Sequence, residues 1–266
     1  MATQIQPDTS ATGFGLSQRQ VLYIVVFLAA LVAAWQLAVE LFEIPGYLLP
    51  SPLAIARALI KDYPIFLDHT LATLSVIAIG LFFGITTGLI LALLMSQSEA
   101  LAKSLYVPIL ATQTTPTIAI APILIIWFGF GLLPKVIVIT IFSFFPVLVN
   151  TLAGLQATSR RMELLMASIS ASKWQVYRHI KIPMALPHVF AGFRLAAAAS
   201  VIGAVVVEWV SSVKGLGYLL ILYQARLNVD KAFATLIVLM VLGVTVFAIT
   251  AVIEQRFSWT KRLGIE

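Results

Sequence analysis

Arg160-Arg-Met-Glu-Leu-Leu-Met-Ala-Ser-Ile-Ser170-Ala-Ser-Lys-Trp174-Gln-Val-Tyr-Arg-His-Ile180-Lys-Ile-Pro183-Met-Ala-Leu-Pro187 interrupts a chain that is otherwise almost continuously apolar. Long apolar runs stand on both sides of it. The stretch therefore reads as a basic, amphipathic loop joining two membrane crossings, and a folded charged loop of this size in a chain built for lipid is where another molecule docks.

Working outward, composition settles the class. Of 266 residues, 61% are apolar and 11% charged, with a mean hydropathy of +1.02, which leaves too little polar surface to coat a soluble globule. A helix crossing the hydrocarbon core needs about 20 apolar residues. Six runs qualify, at 21–42, 70–95, 105–128, 132–155, 189–210 and 232–253, so the fold class is an all-α membrane protein of about six spans. The first run is too long for a signal-peptide core and lacks an Ala-x-Ala cleavage site, so it reads as a retained span. With no internal repeat or linker, residues 21–257 form one transmembrane domain between polar tails at 1–20 and 258–266.

Punctuation between the spans is local and strong. Pro45-Gly46 and Pro50-Ser51-Pro52 stop helix after the first span, and Ser51-Pro52 supplies an N-cap and first residue for a short helix over 53–61. Pro108, Pro116 and Pro122 predict that the third span is kinked or broken, and Phe128-Gly-Phe-Gly131 makes a tight bend after it. Gly80, Gly84 and Gly88 form a stripe of small residues suited to close helix packing. Trp35, Trp127, Trp209 and Trp259 sit near span ends, as interface anchors do.

Lysine and arginine set the orientation. With the N-terminus inside, Arg19, Lys103, Arg160, Arg161, Lys173, Arg178, Lys181, Arg194, Arg256, Lys261 and Arg262 are cytoplasmic, 11 of the 17 basic residues. Arg57, Lys61, Lys135, Lys214, Arg226 and Lys231 lie outside, so both termini are expected in the cytoplasm. The net charge of +6 is explained by topology and anionic lipid without nucleic-acid binding.

Several chemistries are excluded by what is missing. There is no cysteine, hence no disulfide or thiolate metal site. His69, His179 and His188 fall outside any His-Glu-x-x-His pattern, and the aspartates Asp8, Asp62, Asp68 and Asp230 are outside the spans or at their ends. No Gly-x-Ser-x-Gly elbow and no phosphate-binding Gly-x-x-x-x-Gly-Lys-Ser/Thr loop is present, so the chain reads as no enzyme, with no cofactor or metal of its own.

Within the loop, 160–169 continues as helix, Ser170-Ala171-Ser172 turns, and Ser172 with Gln175 makes a capping box that starts a second helix expected to end before Pro183. Val176 and Ile180 share one face while Lys173, Arg178 and Lys181 occupy the rest. Such a helix-turn-helix is either a mechanical handle or an ordinary surface hairpin.

Polar groups inside spans are expensive unless they face protein or water. Glu208, near the end of the fifth span, is a candidate for the transport path or an interhelical partner. Gln113, Thr114 and Thr115, beside Pro116, suit a water-lined path, or else the threonine hydroxyls satisfy their own helix. Asn150 in the fourth span is a path residue or packing glue.

The ordered set Leu48-Leu-Pro-Ser-Pro52, Ala121-Pro122 through Trp127-Phe-Gly-Phe-Gly131-Leu-Leu-Pro134-Lys135, Phe144-Phe-Pro146 through Asn150-Thr151, Ile180-Lys-Ile182-Pro183, Ala185-Leu-Pro187, Gly192-Phe-Arg194-Leu195, Glu208 and Gly215-Leu-Gly217-Tyr218 resembles a known family. It is that of the permease subunits of bacterial ABC importers, in particular the nitrate, sulfonate and taurine branch, with its pyrimidine-precursor and riboflavin relatives. The family's loop usually reads Glu-Ala-Ala, three residues, Gly, nine more, then Ile-x-Leu-Pro. Here Leu164-Leu165-Met166 and Ser170 stand at the first two signatures.

The resemblance implies a type I importer fold in the bacterial cytoplasmic membrane. It also implies a second permease copy, cytoplasmic ATPase subunits that bind ATP and magnesium, and an extracytoplasmic solute-binding protein delivering a small polar or anionic organic solute. The coupling loop, 158–187, would meet the ATPase through Ala167, Ser168, Ser170, Ala171, Ser172, Lys173, Trp174 and Tyr177, with Trp174 and Tyr177 anchoring it. The rival is a stand-alone secondary transporter or channel, which calls for inverted repeats and several intramembrane ion-binding residues.

Overall fold

Lipid offers no partner for backbone N–H and C=O groups, so a chain this apolar must close its hydrogen bonds within helices. The structure, a computed structural model, describes residues 18–257, and the described residues carry helices and no strand. Most of the expected tails 1–20 and 258–266, with Trp259, lies outside the described residues.

The chain opens with α1 (Gln18–Leu41), α2 (Pro52–Lys61) and α3 (Tyr63–Gln97). It continues with α4 (Glu99–Thr114), α5 (Thr117–Phe128) and α6 (Leu132–Gln156). The loop holds α7 (Arg160–Ser168) and α8 (Lys173–Val176), and a π turn at Tyr177–Lys181 leads into α9 (Ile182–Ser211). The chain closes with α10 (Leu216–Ala225) and α11 (Val229–Phe257). As expected, Ser51 caps α2, its hydroxyl accepting from the Ala54 N–H, and Pro52 opens the helix.

Five helical stretches among the described residues are long and apolar enough to cross a membrane, or six if α4 and α5, bent by 97° at Thr115-Pro116, count as one broken span. The break has a local cause. Pro116 has no N–H to continue the helix and holds Thr115 extended, at φ −76° and ψ 127°.

One expectation is corrected. The second helix of the loop does not end before Pro183; with the fifth span it forms one rod over Lys173–Val210. The π turn is the reason. Pro183 lacks an N–H and crowds the carbonyl four residues back, and widening the preceding turn, with the Ile182 N–H reaching the Tyr177 carbonyl, lets the helix pass through.

α6 is the central layer, between α3 and α9. The glycine stripe packs as its spacing suggests: a Cβ on Gly80 would lie 2.5 Å from Ile139 Cγ2, on Gly84 2.5 Å from Ser143 Cβ, and on Gly88 2.6 Å from the Phe144 carbonyl. On the other face a Cβ on Gly154 would lie 2.7 Å from His188 Cβ, and one on Gly192 3.1 Å from Asn150 Cβ. A core of Ile55, Ala58, Phe66, Leu216, Leu219, Leu220, Tyr223 and Ala232 binds α2, α10 and α11 to α3 at the end of the bundle away from the loop. α1 is nearly free of the bundle along 21–34 and attaches through Val39, a Trp35 ring 6.2 Å from Phe233, and the Leu53 N–H donating to Gln36 Oε1.

Candidate functional site

Two polar constructions occupy opposite ends of α9. At its start is the elbow. Ser159 caps α7 by accepting the Met162 N–H, and the helix stops in a Schellman turn: the Ser170 N–H bonds the Ala167 carbonyl and the Ala171 N–H bonds that of Met166. That turn places Ser170 at φ 55°, the left-handed region, at the position where the importer family's loop has glycine. Two residues on, the capping box is complete: Ser172 Oγ accepts the Gln175 N–H at 3.3 Å and Gln175 Oε1 accepts the Ser172 N–H at 2.7 Å.

Ala167, Ser168, Ser170, Ser172, Lys173 and Trp174 are exposed, while Ala171 and Tyr177 are partly buried. Tyr177 ties the loop to the bundle, its hydroxyl lying 2.5 Å from Ser96 Oγ in the last turn of α3. Trp174 is 65% exposed, in company with Leu164, Leu165 and Ile169. Together these four side chains leave large apolar surface bare on the capped loop.

At the far end, Glu208 is 1% exposed. Its carboxylate accepts the Thr73 hydroxyl from α3 at 2.8 Å and the Gly217 N–H from α10 at 2.8 Å, and Thr73 Oγ1 in turn accepts the Leu216 N–H at 2.8 Å. Around this knot the Gly215 N–H donates to His69 Nδ1, Lys214 pairs with Asp68 at 2.7 Å, and Lys135 Nζ donates to Ser212 Oγ. Residues 208–217 are thereby laced to α3 and α6. Glu208 has interhelical partners within its own subunit and lines no open space there.

The other polar candidates stand apart from it. Gln113, Thr114 and Thr115 are exposed at the α4–α5 break; both threonine hydroxyls bond the Ala111 carbonyl, and Gln113 Nε2 reaches toward the Ile141 carbonyl at 3.5 Å. Asn150 is partly buried on α6 and donates to the Pro146 carbonyl at 2.8 Å. Sequence reasoning missed Thr73, His69 and Ser96, each an ordinary polar residue until α3 is set against α9 and the segment after it.

The family described as binding-protein-dependent transport system inner membrane component matches residues 84–259. The chain belongs to this family. The matched segment takes in α4 to α11, the elbow and Glu208 of the permease, and begins after Thr73 and His69. The permease is 36% identical to the formylaminopyrimidine transport permease protein ThiX of Halalkalibacterium halodurans, over 89% of this chain and 95% of that one. It is 34% identical to the riboflavin transport system permease protein RibX of Chloroflexus aurantiacus, over 86% and 87%. A taurine transport system permease protein of Escherichia coli is 28% identical over 88% of this chain and 84% of its own. A crystal structure of an amino acid ABC transporter shares the fold, with a TM-score of 0.61 at 18% identity over 74% of this chain and 96% of that one.

Proposed function

We propose that the permease is the membrane core of an ATP-driven importer, working as a homodimer with both termini in the cytoplasm. The elbow at 158–187 docks into cytoplasmic ATPase subunits, which bind ATP and magnesium, and a solute-binding protein delivers cargo to the opposite face. The observation that carries this reading is the elbow itself, a doubly capped turn that leaves Trp174 and Ile169 exposed at 65% and 68% at the foot of a rod crossing the membrane.

The cargo is a small polar or anionic organic solute. Identity of 36% and 34% to permeases named for formylaminopyrimidine and riboflavin, against 28% to the taurine permease, favours a nitrogen heterocycle over a sulfonate. Gln113, Thr114 and Thr115 at the α4–α5 break, with Asn150, supply the polar groups of the path. Each helix break frees backbone groups that water or solute can satisfy.

Affinity purification of the tagged chain in mild detergent tests this. An ATP-binding subunit recovered in about equal amount, and lost on deletion of 168–175, is the expected result. Recovery of the chain alone, transporting without ATP after reconstitution, would replace this reading with a secondary transporter.

A further inference from the structure

We infer that Glu208 is a positioning residue for transport: it provides, from α9, the N-cap that α10 lacks, so that α10 moves with the helix that carries the elbow. The inference rests on the importer reading above for its functional consequence, and on geometry alone for the cap.

α10 begins after Gly215, a residue with no side chain to cap it. Its first two N–H groups are met from elsewhere in the fold, Leu216 by Thr73 and Gly217 by Glu208. Thr73 completes the circuit by donating to the carboxylate, so one hydroxyl both accepts and donates. Thr73 Oγ1 lies 2.8 Å from Oε1 and 3.1 Å from Oε2, and Oε2 also accepts the Gly217 N–H. A carboxylate offers only acceptors to these two donors, whereas an amide sets an NH2 donor against one of them. A negative group at a helix N-terminus also meets the positive end of the helix dipole.

Gly215-Leu-Gly217 is shaped around that carboxylate. A Cβ on Gly215 would overlap the Glu208 carboxylate, and Gly215 sits at φ +129°; a Cβ on Gly217 would lie 2.9 Å from Glu208 Cβ. The Glu208 side chain crowds both glycines, and at Gly217 the Val205 carbonyl, also 2.9 Å from the Cβ position, adds to it.

The mechanical consequence follows from the continuity of the rod. From Lys173 to Val210 the helix is unbroken, roughly 57 Å at 1.5 Å per residue. It is tied to α3 at both ends, by Tyr177 to Ser96 and by Glu208 to Thr73. A displacement imposed on the elbow reaches the far end, where Glu208 and Thr73 pass it to α10 and to the loops flanking it, whose Val213 and Leu227 are 84% and 72% exposed.

Hydrogen exchange on the full chain, alone and assembled with its ATPase, tests both parts. In the wild type a non-hydrolysable ATP analogue should change exchange in the elbow, 167–177, and in 212–225. Glu208→Gln and Thr73→Val should keep the elbow response and lose the far response at least about fivefold, while Thr73→Ser retains it. A far response unchanged in both variants, or lost in Thr73→Ser as well, overturns the link. Without nucleotide the Leu216 and Gly217 amides should exchange at least about fivefold faster in Glu208→Gln; no change overturns the cap even if no ATPase binds and the importer reading fails.

Discussion

The hydroxyls of Tyr177 and Ser96 stand 2.5 Å apart and join the π turn of the elbow to the last turn of α3. The elbow is therefore sprung from α3 as well as from α9, and what α3 does at its far end, through Thr73, belongs to the same frame.

Tyr177→Phe keeps the ring and removes this bond. The expected loss is about 1 kcal/mol of local stability, read as faster amide exchange over 173–181 with the membrane core unaffected. Unchanged exchange would show that packing of the ring, and not the hydroxyl pair, holds the elbow.

Trp174→Ala should separate folding from coupling. Because Trp174 is 65% exposed, its loss should leave thermal stability within about 0.5 kcal/mol, whereas a buried interface tryptophan is worth about 2 kcal/mol or more on truncation. The ATPase should bind about thirtyfold more weakly, the equivalent of that energy. Normal co-purification and normal ATP-driven uptake would remove Trp174 from the docking surface.

Ser170→Gly should stabilise the elbow. A non-glycine residue in the left-handed region costs about 1 kcal/mol, and Ser170 carries that cost at φ 55° without a side-chain bond that requires serine. Limited proteolysis across 167–173 should slow in the glycine variant and quicken in Ser170→Val; the reverse order would mean that the turn rearranges on substitution.

Gly84→Val should disrupt the α3–α6 contact. Its Cβ alone would fall 2.5 Å from Ser143 Cβ, with the Phe144 backbone nitrogen at 3.3 Å, so helices must part. A cost of about 3 kcal/mol is expected, measured as loss of the monodisperse protein in detergent with membrane insertion intact. Gly46→Val, where a Cβ would meet nothing within 4 Å, is the matched control.

Much of the fold was legible because lipid and short-range capping act locally. Hydropathy marked the spans, Ser51-Pro52 marked the start of α2, and Ser172 with Gln175 marked the start of α8, since each signal and its partner lie within one helical turn. Pro108, Pro116 and Pro122, each without an N–H, together announced a kinked or broken third stretch, and the break falls at Pro116 while Pro108 and Pro122 lie inside α4 and α5. Pro183 was misleading for the same local reason: alone it predicts a helix end, and only the π turn behind it shows that the rod continues.

The sequence by itself determined a helical membrane permease with a capped, basic elbow and a glycine stripe ready for close packing. Tertiary structure decided what those features touch. Glu208 finds Thr73 across 135 residues and Tyr177 finds Ser96 across 81, and no spacing rule reaches that far. Those pairs exist because glycines on three helices let α3, α6 and α9 approach closely, and a buried carboxylate or hydroxyl must then bond whatever donor or acceptor that approach brings within reach.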